Sequence, residues 1–253
     1  MEGKAFRGRL QAERQPAAAE LRLVDDADLR ATINELIADE NLLALRIKTC
    51  EAFADALRCA STYFHVPACL AEDDAIRGLS SVIDMSAELA SSTIDLFKSD
   101  RWYAGNSLIR QLIETEYLLT IFAADRAIAS DWQHASPEQL RRWWNPAAMR
   151  AKTNGRFADE EYWGHCERGG HPSPDSSHLL RNTLRARLDR RFFWIDLVIH
   201  LKRAWFATKD CLIAFGYAER LSEDPYVRAS DALAAWSERD PAPDLLKSVL
   251  PNK

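Results

Sequence analysis

Apolar positions recur along this chain at helical spacing, and in two long stretches they wrap almost the whole circumference of the helix. The first stretch is Arg101–Ala124, RWYAGNSLIRQLIETEYLLTIFAA. At about 100° per residue, Leu108, Leu112, Leu119 and Phe122 share one side, which Ile109, Ile113, Trp102 and Thr120 extend round the wheel. A narrow polar strip interrupts it, in which Tyr103, Asn106, Arg110, Glu114 and Tyr117 fall within about 80° of one another. A helix this apolar belongs at the centre of a bundle, and an Arg and a Glu carried there must be paired or serve a ligand.

The second stretch lies in a helix expected from about Leu184 to Phe215 and ended by Gly216. Its segment FFWIDLVIHLKRAWF is again apolar nearly all round, and its interruptions align: Asp196, His200 and Arg203 sit at i, i+4 and i+7. Two further long helices precede the central one. The first runs from the acidic Asp25, Asp26 and Asp28 to about Phe64, where His65-Val66-Pro67 ends it by pushing the residue before proline out of the α region. The second runs from about Glu72 to Lys98, and the short Ser99-Asp100 link turns the chain back into the central helix. Between Asp125 and Asn182 the pattern changes to Trp- and Pro-rich segments, with short helices expected at Glu138–Trp144, Ala147–Asn154 and Ala158–Arg168.

These elements predict an all-α fold: an antiparallel bundle of about four long helices with an inserted, Trp-rich helical cap at about residues 125–182. Residues 1–24 form an arm or short helix, 25–222 the bundle domain, and 223–253 a short C-terminal helix and tail. Low Gly (9) and Pro (10) contents support long helices over a turn-rich β architecture. A net charge of −5 argues against a surface built to coat nucleic acid. A local basic patch is still compatible with that charge, and Arg181, Arg185, Arg187, Arg190 and Arg191 supply a candidate that also suits a solvated helix start. Five scattered cysteines without CxxC spacing, and no signal-type N-terminus, point to reduced thiols in a cytoplasmic protein. No apolar run approaches a membrane span, so no membrane is expected among its partners.

Three groups of residues could carry chemistry. Arg110 and Glu114 are one turn apart, suited to an intrahelical ion pair or to an anion held by Arg110 and oriented by Glu114. Around them Tyr103, Asn106 and Tyr117 would line a pocket. The turn-rich segment Tyr162–Pro174 carries His165, Cys166 and His171, but histidines six apart match no standard zinc spacing, so neither metal nor cofactor is expected. Gly169-Gly170 before His171 and Pro172 after it could aim that imidazole, or let it cap a helix end. Asp196 one turn before His200 could hold the histidine's tautomer, or His200 could simply be a satisfied core residue beside Arg203. There is no GxSxG, P-loop, GxGxxG or HExxH, which leaves the familiar hydrolase, nucleotide-binding and zincin assignments without support.

The order of these features over about Asp73–Phe215 resembles a bacterial family of HEPN-like all-helical proteins: a central helix with Arg110-x3-Glu114, a Trp/Tyr-rich insert, then Tyr162 and the His171-Pro172-Ser173 element. The resemblance implies an all-α, often dimeric protein that acts on RNA in a toxin or anti-phage defence system. That family's signature, an Arg and a His with four to six residues between them, is met here only by Arg58 and His65, with six residues between and Cys59 where a polar residue is usual. On this view Arg110, Glu114 and His171 form a metal-independent phosphodiesterase site: Arg110 stabilises the charged transition state while His171 and Glu114 move protons. The alternative is a non-catalytic binding or scaffold protein that recognises a protein partner, a second copy or a small anionic ligand, with the same trio serving as a structural lock.

Overall fold

A computed structural model describes residues 27–70, 73–153, 155–157, 159–167, 172–174 and 176–249. Those residues are predominantly helical, with no strand among them. The arm at 1–24 and the acidic Asp25–Asp26 pair lie outside the described residues.

What the spacing suggested as one helix up to Phe64 is two. α1 (Ala27–Ala38) stops at Asp39, and α2 (Glu40–Leu70) restarts there because the Asp39 carboxylate accepts from the backbone N–H of Asn41 (2.7 Å) and Leu42 (2.9 Å). At its other end α2 runs through Pro67 instead of ending at His65. Phe64 is fully buried and meets Tyr63 and Tyr217 edge-on, so tertiary packing beside the proline overrides a local penalty of about 3 kcal/mol.

α3 (Asp74–Lys98) is capped by Asp73 and ends in a tight reversal in which Asp100 takes φ 58° and the Arg101 N–H donates to the Leu96 carbonyl at 2.8 Å. α4 (Trp102–Ala124) is the central helix of the sequence pattern. A helix not foreseen there, α5 (Arg126–Gln133), follows at once, capped by Asp125, and packs back on α3. It can do so because Gly78 has no side chain: a Cβ there would lie 2.4 Å from the Ala129 carbonyl oxygen. The insert continues with α6 (Pro137–Trp143), opened by a Ser136/Gln139 capping box, α7 (Pro146–Lys152), capped by Asn145, and α8 (Asp159–His165). A 3₁₀ turn at Ser176–Leu180 leads into α9 (Leu184–Ala214), which ends at Gly216 with φ 85°. α10 (Asp224–Arg239) lies along α2, and α11 (Ala242–Val249) on α1.

The bundle is a ring: α2 packs on α3, α3 on α4, α4 on α9, and α9 on α2. Its first three helices alternate in direction, since Arg58 bonds Ser91 (3.0 Å) and Ser61 bonds Asp84 (2.6 Å) across α2 and α3. The fourth long helix departs from the antiparallel expectation. Trp102 meets Trp194, Glu116 meets His200, and the Leu119 carbonyl meets Cys211, so α9 runs parallel to α4. The insert is the long crossover that parallel neighbours require. Together these helices bury one large core, with Trp205, Tyr117, Tyr226, Phe53 and Phe122 among its fully enclosed side chains, and a smaller cluster of Ile37, Ile195 and Ala242 lies beside it. Among the described residues no helix is long and apolar enough to cross a membrane.

Candidate functional site

The polar strip of α4 faces the insert. Asn106 and Tyr117 are fully buried, Tyr103 is half-buried, and Tyr117 packs on Phe157 (4.6 Å between centroids) and Tyr162 (6.4 Å). Arg110 and Glu114 form the ion pair their spacing allowed, Nε to Oε1 at 3.4 Å, each side chain about a quarter exposed. Tyr162 on α8 completes this group by donating its hydroxyl to Glu114 Oε1 at 3.0 Å, which ties the insert to the central helix. Burial, reinforced by the Glu114 carboxylate, raises the Tyr162 phenol above its ordinary pKa, so it stays a donor at neutral pH. The Arg150 guanidinium lies over the Tyr162 ring, 4.6 Å from its centroid. His171, the third member of the expected trio, lies outside the described residues.

A second polar group sits deeper. His165, at the C-terminal end of α8, reaches the aligned Asp196 and His200 of α9. His165 Nε2 is 3.1 Å from His200 Nε2, and its Nδ1 approaches Asp196 Oδ2 at 3.6 Å. Asp196 Oδ1 in turn lies 3.7 Å from His200 Nε2. The remaining ring nitrogen of His200 meets Glu116 Oε1 at 2.7 Å. Both imidazoles and Glu116 are buried, while Asp196 keeps 12% of its side chain exposed. Because a carboxylate only accepts, His200 donates Nδ1–H to Glu116, and its Nε2 lone pair is left facing His165. Arg203, two turns along α9 from Asp196, is half-buried.

The sequence thus supplied three members of this cluster without joining His165 to the other two. Glu116 was passed over entirely. Its one signal was a charged side chain among residues that are otherwise apolar, two positions past Glu114, on the part of α4 that turns to α9.

Two concave surfaces lie elsewhere. One, of about 440 Å³, is formed by α5, α6 and α7 and lined by Asp131, His134, Gln139, Trp143, Trp144 and Lys152. Trp143 is half exposed, and the Lys152 ammonium stands 3.8 Å from the Trp144 ring centroid. Desolvation lowers the Lys152 pKa, against the opposing pull of Asp131. The other, of about 300 Å³, opens between Trp102 and Trp194 beside Arg187, Arg190 and Arg191. Much of that basic cluster is engaged: Arg190 donates to the Leu179 and Arg181 carbonyls, Arg191 to the Ala38 carbonyl and Glu40, and Arg185 pairs with Asp189.

No protein-family model, curated protein or solved structure matches this chain.

Proposed function

We propose that this chain is a helical binding protein that recognises a small anionic ligand carrying a planar ring, through the cleft of its insert. The observation that carries this is the pairing of Trp143 and Trp144 with Lys152 around the 440 Å³ cleft. A half-exposed indole offers a stacking face, and a partly desolvated ammonium beside it offers a charge that water screens only in part. The Arg110–Glu114–Tyr162 group supports the same view, because Glu114 Oε1 meets both Arg110 Nε and the Tyr162 hydroxyl and so makes the group a latch between insert and bundle. Isothermal titration with nucleoside monophosphates as probes tests the proposal. Binding should weaken about tenfold or more in Trp143→Ala and in Lys152→Ala, a loss of about 1.4 kcal/mol each. Equal heats from wild type and both variants would refute it.

A second reading, the HEPN-like RNA-acting effector of a bacterial toxin or anti-phage system, draws on one specific observation. Because α2 continues past Phe64, Arg58 and His65 stand two turns apart on one uninterrupted helix, and both are exposed. An Arg and a His so placed could meet a second copy of the chain. Arg58 pairs meanwhile with Asp55 at 3.0 Å. Incubation with total bacterial RNA in EDTA separates the readings. Cleavage lost in His65→Ala or His171→Ala favours the nuclease, and binding without cleavage favours the first proposal.

A further inference from the structure

Three helices far apart in the sequence bring two imidazoles and a carboxylate around one point, with a second carboxylate behind them. His165 comes from α8, Asp196 and His200 from α9, and Glu116 from α4. One ligand atom from each of the first three lies within 4.8 Å of the others. We propose that His165, Asp196 and His200 bind one divalent transition-metal ion of the zinc class, and that Glu116 orients His200 for it. This inference is independent of the insert cleft, with which it shares no residue.

The geometry supports a metal in three respects. A tetrahedral ion with nitrogen and oxygen ligands at about 2.0–2.2 Å spaces its donors about 3.3–3.6 Å apart. The observed separations, 3.1 Å between the two Nε2 atoms and 3.7 Å from His200 Nε2 to Asp196 Oδ1, bracket that edge length. Glu116 also supplies the outer partner that metal-binding histidines require. By accepting from Nδ1–H it fixes the tautomer, so that Nε2 presents its lone pair toward His165 and Asp196. Finally, the donor set of two imidazoles and one carboxylate suits zinc, cobalt or nickel better than magnesium or calcium, which prefer all-oxygen shells.

Access and purpose follow from burial. The two imidazoles are enclosed, but Asp196 retains 12% exposure, so ion and water reach the site along its carboxylate, where a water would complete the fourth position. An ion held there ties α8 of the insert to α9, in addition to the Tyr162 hydroxyl that ties α8 to α4. In the metal-free chain the same two imidazoles can share a proton through the 3.1 Å Nε2 contact, which makes a proton the direct competitor of the ion.

The test is a titration of the full chain, stripped with a chelator and dialysed, with Co(II) and then with Zn(II). The expected result is one Co(II) per chain, with the visible absorption of a tetrahedral nitrogen–oxygen site, displaced by stoichiometric zinc. No thiolate charge-transfer band should accompany it, and Cys166→Ser, which alters the neighbouring thiol, should leave the spectrum unchanged. His165→Ala and His200→Ala should abolish binding. Glu116→Gln, which keeps the shape of the side chain and the fold, should weaken it about 10–100-fold. Wild-type protein that takes up no stoichiometric cobalt or zinc overturns the proposal, as does uptake that survives in Glu116→Gln and both histidine variants unchanged.

Discussion

The buried pair Arg46–Asp240 gives the sharpest prediction about what holds the molecule together. Both side chains are fully enclosed, and the pairing is bidentate, Nε to Oδ2 at 2.7 Å and Nη2 to Oδ1 at 2.9 Å. Asp240 also accepts from Trp236 Nε1 at 2.9 Å and from the Ala242 N–H at 3.2 Å, while Arg46 donates to the Leu36 carbonyl at 3.1 Å. One carboxylate therefore joins α2 to the end of α10 and the start of α11. Asp240→Ala strands the guanidinium in a dry interior and removes the acceptor for two further donors, so it should cost about 3–5 kcal/mol. For a chain of this size that corresponds to a melting temperature lower by about 6–20 °C. Arg46→Met in the Asp240→Ala background removes the stranded charge. The double variant should then recover part of the loss, while Trp236 Nε1 and Ala242 N still lack an acceptor at about 1–3 kcal/mol. Urea unfolding of the wild type, both single variants and the double variant measures the cycle. A single-variant cost below about 1 kcal/mol, or strict additivity of the two substitutions, would refute the argument.

Other outcomes follow from single contacts. Tyr162→Phe should cost about 1 kcal/mol by releasing the latch to Glu114. Because the folded phenol's pKa is raised, its contribution is complete below about pH 10, where the unfolded chain is also protonated, and is lost as pH rises further. The urea midpoint of Tyr162→Phe should accordingly fall less steeply with alkaline pH than that of wild type, and parallel curves would contradict the assignment. Gly78→Ala should destabilise by about 1–3 kcal/mol in a thermal melt despite alanine's higher helix propensity, because the new methyl meets the Ala129 carbonyl. A higher melting temperature would mean that α5 does not lie against α3 there. Asp74 is held below the usual carboxylate range, chiefly by its hydrogen bond with His134 and further by Arg77. Its contribution is therefore present above the ordinary carboxylate pKa and disappears as acid takes the pH down through the depressed value. An NMR titration should show the Asp74 pKa rise in His134→Ala, and an unchanged value would remove His134 as the cause.

Much of the fold was legible because helical periodicity reports which face of a segment is buried. The central helix, its polar strip, the Arg110–Glu114 pair and the aligned Asp196 and His200 all follow from spacing within one helix, and all stand where the pattern put them. Local rules failed where packing outweighed them. Pro67 does not end α2, whose Phe64 is enclosed by aromatic neighbours, and Asp39 starts a new helix by capping inside what the spacing presents as one. α5 was missed because a helix of 8 residues offers little periodicity, and Ala129 is its one fully buried residue.

The sequence by itself determined the helical class, the long helices and the residues that share a face, since these depend on intervals of three and four positions. It could not determine partners between helices, because an apolar or charged face carries no mark of what it will meet. Only the tertiary structure set α9 parallel to α4, joined Arg46 to Asp240 across 194 residues, and brought His165 within 3.1 Å of His200. The physical reason is that burial drives each of these groups out of water, but the identity of the compensating neighbour is fixed by how the crossover folds back.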